Sequence, residues 1–271
     1  MQDDNLVKSI KRLLSGKESH PRYQKWFDEY LSLEQRHLKN FIPLLKEFTT
    51  LKDKTILDFG CGTGGSSVAL GLNGAKVVGV EPGANSVDVA LARIKKFHLE
   101  DSARVSHLPD TTNLPFLKET FDVCLCHSVL EYIPGDRQKY IQEMWRVIKP
   151  DGILFIAGSS NGLYPMEMHS GKWFVNYGSS SVVPRGVTYW EIIRAIKPGK
   201  FIVLNQTLAK DGLARYCERL KEKDFSLVRK IEASIMPFFL RIIKVTLCPI
   251  LNAPIEAFLP WLDLGLSKSE K

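Results

Sequence analysis

Two hydrophobic rhythms divide this chain. Over residues 1–50 apolar side chains recur every three or four positions, at Leu6, Val7, Ile10, Leu13 and Leu14, at Trp26, Phe27, Tyr30 and Leu31, and at Leu38, Phe41, Leu45 and Phe48, punctuated by Pro21 and Pro43. That period predicts a helical N-terminal extension. From Lys54 onward short apolar runs alternate with helical stretches: strand Thr55–Phe59, helix Ser66–Leu72, strand Lys76–Glu81, helix Ser86–Phe97, strand Arg104–His107, strand Phe121–Cys126, helix Arg137–Ile148 and strand Ile153–Ile156. Residues 159–187, rich in Ser, Gly and aromatics, interrupt the pattern as one long loop, ahead of a helix Thr188–Ile196 and a strand Phe201–Leu204. A partly basic helical insertion is expected at about 207–257, centred on Leu213 to Ile243, and a last short strand near Trp261–Leu266.

Strands alternating with helices at this spacing fold as right-handed crossover units, since a right-twisted strand feeding a helix packs back onto its sheet only that way. The pattern therefore predicts an α/β fold: a Rossmann-like, doubly wound, mostly parallel seven-stranded sheet with helices on both faces. The expected organisation is a helical extension or cap at 1–50 and one α/β domain at 51–271. That domain carries the long loop, a candidate substrate loop by its length, and the helical insertion.

Composition narrows the class without identifying it. With 44% hydrophobic and 25% charged residues, the chain is an ordinary globular sequence and neither a disordered nor a collagenous one. The net charge of +7 is spread out: 9 minus 7 over residues 1–50, 17 minus 15 over 51–206 and 11 minus 8 over 207–271. A nucleic-acid binder concentrates its Lys and Arg on one face, so this dispersion disfavours nucleic acid as a partner. Cys61, Cys124, Cys126, Cys217 and Cys248 form no Cys-x-x-Cys pair and lie beside no His cluster at metal-ligand spacing, so they read as reduced residues and no metal site is expected. The start, Met1-Gln2-Asp3-Asp4, has neither the basic opening nor the apolar run of a signal peptide, and a cytoplasmic location is the expectation. The apolar stretch Ile235 to Trp261 carries Arg241, Lys244, Glu256 and several prolines, and fails as a spanning helix.

The candidate chemistry sits where the first strand ends, in Asp58-Phe59-Gly60-Cys61-Gly62-Thr63-Gly64-Gly65. Ligands of such sheets bind at the carboxyl ends of the strands, and glycines let backbone approach them closely. Gly60-x-Gly62-x-x-Gly65 also satisfies the dinucleotide fingerprint, with Glu81 about 20 residues on, so the glycines alone leave a nicotinamide oxidoreductase open. Asp58 weighs against it: a carboxylate two residues before the first glycine suits a cofactor with a cationic amino group better than a pyrophosphate.

Further motifs follow in order: Gly79-Val80-Glu81-Pro82, Asp110-Thr111-Thr112-Asn113-Leu114-Pro115-Phe116, Phe121-Asp122-Val123 and Met144-Trp145-Arg146-Val147-Ile148-Lys149-Pro150. With the glycine loop, they resemble the class I S-adenosylmethionine-dependent methyltransferases over roughly residues 54–157, in the small-molecule branch that includes ubiquinone-biosynthesis enzymes. The resemblance implies S-adenosylmethionine as cofactor, with S-adenosylhomocysteine as product. It implies that Gly60, Cys61, Gly62 and Gly64 lie against the methionine part, with Asp58 near its amino group. Glu81, followed by Pro82, would accept hydrogen bonds from the ribose; Asp110 and Thr111 would hold the adenine; Cys126 and His127 would line the space beside the sulfonium.

Methyl transfer from a sulfonium is an in-line displacement, and a weakly nucleophilic hydroxyl needs a general base. His127, Glu131 and Tyr132 after the fourth strand, and Tyr164, Glu167 and His169 in the long loop, are the candidates for base or orienter. His169 is the first choice for the base and His127 the second. Tyr23, Trp26 and Tyr30 share one helical face that either caps the pocket or packs a core. Trp173, Phe174, Tyr177, Tyr189 and Trp190 offer an apolar surface for an aromatic, glycan or lipid-like small-molecule substrate. The stretch from Met236 could pack as a lid, pair with a second copy in a homodimer or touch a membrane surface. The leading expectation is O-methylation of a small molecule by a monomer or homodimer. A nucleic-acid methyltransferase, a nicotinamide oxidoreductase and a non-catalytic cofactor-binding partner subunit remain as alternatives.

Overall fold

The structure, a computed structural model, describes residues 2–178, 184–197, 199–207 and 227–269. Four helices open the chain: α1 (Gln2–Leu13), α2 (Tyr23–Leu31), α3 (Leu33–Asn40) and α4 (Ile42–Phe48). Then come β1 (Thr55–Phe59), α5 (Gly65–Gly71), β2 (Lys76–Glu81), α6 (Ala84–Lys96), β3 (Ala103–His107), β4 (Phe121–His127), α7 (Gln138–Val147) and β5 (Ile148–Ser160). The last described elements are α8 (Tyr189–Ile196), β6 (Phe201–Val203), α9 (Leu204–Thr207), α10 (Leu227–Leu251) and β7 (Trp261–Lys268).

The strands form one sheet in the order β3-β2-β1-β4-β5-β7-β6, parallel except for β7, which runs antiparallel between β5 and β6. The chain winds outward from β1 through β2 to β3, then returns to lay β4 on the other side of β1. That reversal opens a crevice at the carboxyl ends of β1 and β4, where ligands of doubly wound sheets bind.

Alternation along the strands divides the interior. Leu57 and Phe59 of β1, Cys124 and Cys126 of β4, and Leu154 and Ile156 of β5 face the core under α7 and α8. Ile56, Val123, Leu125, Ile153, Phe155 and Ala157 face the opposite core, under α4, α5 and α6. Both faces are covered, which is why these strands read as near-continuous apolar runs. Thr188 caps α8 by accepting the Glu191 N–H at 3.1 Å, marking where the long loop ends.

The N-terminal helices build a satellite core of Leu6, Ile10 and Leu14 against Val89 of α6, with Tyr23, Trp26 and Tyr30 packed around it. Of the two readings of the aromatic face of α2, packing is the one these contacts support. The expected insertion is helical over 227–251, while residues 208–226, Cys217 among them, lie outside the described residues. Lid or core packing does not describe α10. Only Leu240 is buried among its described side chains, against Ile255 and Leu259, and Phe238, Phe239, Ile242, Val245, Ile250 and Leu251 are exposed, Ile250 at 77%. Among the described residues no helix is long and apolar enough to cross a membrane.

Candidate active site

The glycine loop leaves β1 through left-handed backbone at Gly60, Gly62 and Gly64. Gly64 has φ +77°, and a Cβ there would stand 2.8 Å from the Ala90 Cα of α6, so both conformation and close packing demand glycine. A Cβ on Gly62 would meet nothing within 4 Å, so this backbone faces open space. Glu81, at the end of β2, fastens the loop from the side: Oε2 accepts the Gly62 N–H at 3.0 Å and Oε1 accepts the Gly83 N–H at 2.9 Å. Each oxygen keeps a lone pair for a second donor.

Beneath the loop Asp58 is fully buried, its Oδ2 accepting the Ser66 and Ser67 hydroxyls of α5 at 2.7 and 2.6 Å. Burial pushes its carboxyl up to about 6 against those hydrogen bonds, and its Oδ1 has no partner. From above, α3 rests on the loop, since a Cβ on Gly65 would fall 2.6 Å from Leu33 Cγ and 2.9 Å from His37 Cδ2. Arg93 of α6 locks that seat: its Nε donates to Thr63 O at 3.0 Å and its guanidinium pairs with Glu34 of α3 and with Tyr30 O. Arg93 and Glu34 are both buried, a charged pair within the apolar stripe of α6.

Across the crevice His127 ends β4, its ring 4.6 Å from His37 edge-on and 5.0 Å from Phe41. Burial, with Arg36 and His169 adding to it against Asp263, pushes this imidazole down to about 4, so it is neutral near pH 7. The turn after β4 carries Glu131, fully buried, and His169 Nε2 from the long loop stands 2.5 Å from its Oε1. Burial opposes charge on His169, but Glu131, Glu167 and the Gly158 carbonyl outweigh it and hold the imidazole above its ordinary value. Trp261 of β7 closes the ring from another side, edge-on at 4.9 Å.

The buried polar side-chain atoms without a hydrogen-bond partner, among the described residues, are His37 Nδ1, Asp58 Oδ1, Thr63 Oγ1, both Glu131 oxygens, Ser159 Oγ, His169 Nε2 and Arg185 Nε. Folded chains leave few such atoms. These come from β1 and its loop, the helix resting on that loop, the turn after β4, the end of β5, the long loop, and a residue whose N–H donates to Glu131 O. Most of them stand on elements at or beside the carboxyl ends of β1, β4 and β5, where a doubly wound sheet receives its ligand.

The comparisons with known proteins agree with that geometry. Residues 57–156 match the family described as "Methyltransferase domain". Over 191 residues the chain is 29% identical to a ubiquinone biosynthesis O-methyltransferase of Actinobacillus pleuropneumoniae, covering 65% of this chain and 75% of that one. The counterpart of Coxiella burnetii is 32% identical over 136 residues, 49% of this chain and 56% of that one, so the likeness spans little more than half of this second relative. Residues 57–156 are thus a methyltransferase domain, similar to those of S-adenosylmethionine-dependent methyltransferases. In fold it is similar to a geranyl diphosphate C-methyltransferase of Streptomyces coelicolor, at TM-score 0.52 and 19% identity over 95% of this chain and 85% of that one, a structure that holds S-adenosyl-L-homocysteine. A sarcosine dimethylglycine methyltransferase assigned to Galdieria sulphuraria superposes at TM-score 0.54 with 16% identity, covering 90% and 89%.

The methyltransferase cofactor, S-adenosylmethionine, fits these residues. The open backbone at Gly62 and the orphaned Asp58 oxygen offer the acceptors and close approach that an amino-acid ammonium group requires. Several expected positions differ in detail. Cys126 is wholly buried in the core under α7, with its thiol pushed up by burial, so its side chain does not line the crevice. Cys61 likewise turns inward, packed close to Gly79. Pro82 is exposed, its carbonyl 2.9 Å from the His107 ring. Asp110 stands at the surface, where Oδ1 accepts the Thr112 N–H and hydroxyl and its carboxyl is held low by them, while Thr111 is buried. The aromatic wall is not continuous: Trp173, Phe174 and Tyr177 are exposed, whereas Tyr189 is buried and Trp190 meets Phe258 edge-on. His37 and Arg93 were not expected at the site, and only Arg93 left a trace, a charge among helically spaced apolar residues.

Proposed function

We propose that this methyltransferase O-methylates a small-molecule hydroxyl acceptor, with His169 taking the acceptor's proton. The observation that carries the reading is the approach of half-buried His169 to buried Glu131 beside the ends of β4 and β5, which supplies a basic group at the acceptor side of the crevice. S-adenosylmethionine, when bound, supplies a methyl group on a sulfonium, an electrophile that needs no metal. We assign Gly60, Gly62 and Gly64 to the methionine part of that cofactor, Asp58 to its ammonium, Glu81 to the ribose and Asp110 with Thr111 to the adenine. Neutral His127 walls the reacting space without contributing a charge that would repel the sulfonium. The name of the ubiquinone biosynthesis relatives supports oxygen as the target atom. The bare apolar side chains of α10, joined by Arg241 and Lys244, support an acceptor with an apolar tail or delivery at an anionic lipid surface. We read residues 1–50 as a cap on the catalytic domain at 51–271.

The test is calorimetric titration with S-adenosylmethionine, S-adenosylhomocysteine and NADH, followed by transfer of labelled methyl groups to a panel of phenols, sugars and lipid-tailed hydroxyl compounds. Binding of the first two and not NADH, with label found in an ether linkage, is the expected result. Label found only on nitrogen or in RNA sinks the acceptor assignment.

A further inference from the structure

Glu131 is an unusual carboxylate. It lies in the helical turn Leu130–Tyr132, is fully buried, and receives no hydrogen bond at either oxygen. A buried carboxylate left bare is strongly disfavoured, so such a group persists where it meets a cation or a proton donor. Beside it stands the His169 ring, with Nε2 2.5 Å from Oε1, while the Arg137 guanidinium of α7 also feels its charge.

The ring reaches that place from a long loop, and the loop is pinned for the purpose. Buried Glu167 accepts the His169 N–H at 3.0 Å on Oε1 and the Ser170 N–H at 2.6 Å on Oε2, fixing the backbone that carries the imidazole. Met168 N–H donates to Ser160 Oγ at 3.0 Å, tying the same turn to the end of β5. Trp261 and Tyr132 bound the ring at 4.9 and 5.7 Å.

Resting on the methyl-transfer reading, we propose that Glu131 is the positioning residue for His169: its carboxylate keeps a proton on Nε2 and leaves Nδ1 to accept the proton of a hydroxyl acceptor. In that step the acceptor oxygen bonds to the methyl carbon, the electron pair of the broken carbon–sulfur bond stays on sulfur, and the acceptor's proton passes to Nδ1. Glu131 stabilises the imidazolium that forms. The groups facing this ring are Glu131 and Tyr132 from the turn after β4, the Gly158 carbonyl of β5, Glu167 from its own loop and His127 from the end of β4, with Asp263 of β7 acting on His127. His127 is neutral and does not compete for the charge.

The experiment is nitrogen-15 NMR of the full chain with labelled histidine, in the presence of S-adenosylhomocysteine, for the natural protein, Glu131→Gln and Glu131→Asp. In the natural protein the neutral His169 ring is expected as the Nε2–H tautomer, titrating above its ordinary value. Glu131→Gln lowers that midpoint by about one unit or more, Glu131→Asp restores part of it, and calorimetric affinity for S-adenosylhomocysteine stays unchanged in both. An Nδ1–H tautomer in the natural protein overturns the proposal even should a variant fail to fold, and so does a midpoint indifferent to Glu131→Gln. Loss of S-adenosylhomocysteine binding by the natural protein is a separate outcome, which would refute the methyltransferase reading while the ring's tautomer still decides the role of Glu131.

Discussion

On the β1 side of the crevice the surface offered to a ligand is mostly backbone: left-handed glycines, amides fastened by Glu81, and one carboxylate held from below by two serines. On the β4–β5 side it is mostly side chains, His127, Glu131, Ser159 and His169, supplied by a strand end, a turn, a second strand end and a loop, with Trp261 reaching in from β7. The first side is a local motif within about two dozen residues, the second a convergence across more than a hundred. Backbone surfaces suit a constant ligand, and side-chain surfaces can vary with the acceptor while the sheet stays the same.

The sharpest way to break the contrast is to unlock the cofactor side. Arg93→Ala strands Glu34 as an unpaired buried charge and frees the Thr63 carbonyl, and is expected to cost about 3–5 kcal/mol in urea unfolding. A loss below about 1 kcal/mol would show that water reaches the pair and that α3 is not latched to the loop. Next, Glu81→Ala should weaken S-adenosylmethionine by about 1.5–3 kcal/mol in calorimetry, the range for hydrogen bonds to a charged group. Unchanged affinity would mean that Glu81 serves only its two backbone amides.

Asp58 sharpens the comparison through pH. Its carboxyl titrates near 6 when folded, above the ordinary 3.8, so the folded state holds a proton that the unfolded chain has released. Its contribution to the stability of the ligand-free protein therefore falls as pH rises from about 4 to about 6 and is flat above that. Binding of a cationic amino group runs the other way and should be about tenfold weaker at pH 5 than at pH 7.5. In Asp58→Asn both slopes should vanish, and a retained binding slope would move the ammonium site elsewhere. The smallest effect belongs to the far side. Phe174 is exposed with φ +60°, a strained conformation for its bulk, so Phe174→Gly should leave stability within about 1 kcal/mol and cofactor affinity untouched.

The same contrast explains what could be read in advance. The sheet was legible because covered strands keep an apolar run and a period of two, visible in Phe121 to Cys126 and Ile153 to Ile156. The β1 side was legible because its spacing is set by backbone: the glycine loop follows β1, with Asp58 beneath it and Glu81 fastening it. The pairing of Glu131 with His169 was not legible, since they stand 38 positions apart with α7 and β5 between them, and no period records their approach. Cys126 misled for a related reason: its place after Leu125 on a central strand alternates it into the core, and only the following His127 emerges at the strand end. The exposure of α10 was hidden too, because an apolar helix reads the same whether it faces a core or solvent.

The antiparallel insertion of β7 between β5 and β6 has a consequence in time as well as space. A ribosome delivers β1 through β5 well before it delivers Trp261 and Asp263, about a hundred residues later. A nascent chain can thus assemble the glycine loop, with Glu81 and Asp58 in place, while the His169 loop still lacks its Trp261 backing. Until then the edge of β5 is a bare strand with free amides and carbonyls, open to pairing with any passing chain. During synthesis this molecule passes through a stage at which the glycine loop is assembled and the surroundings of His169 are not, and the unpaired edge of β5 is what a chaperone would have to guard.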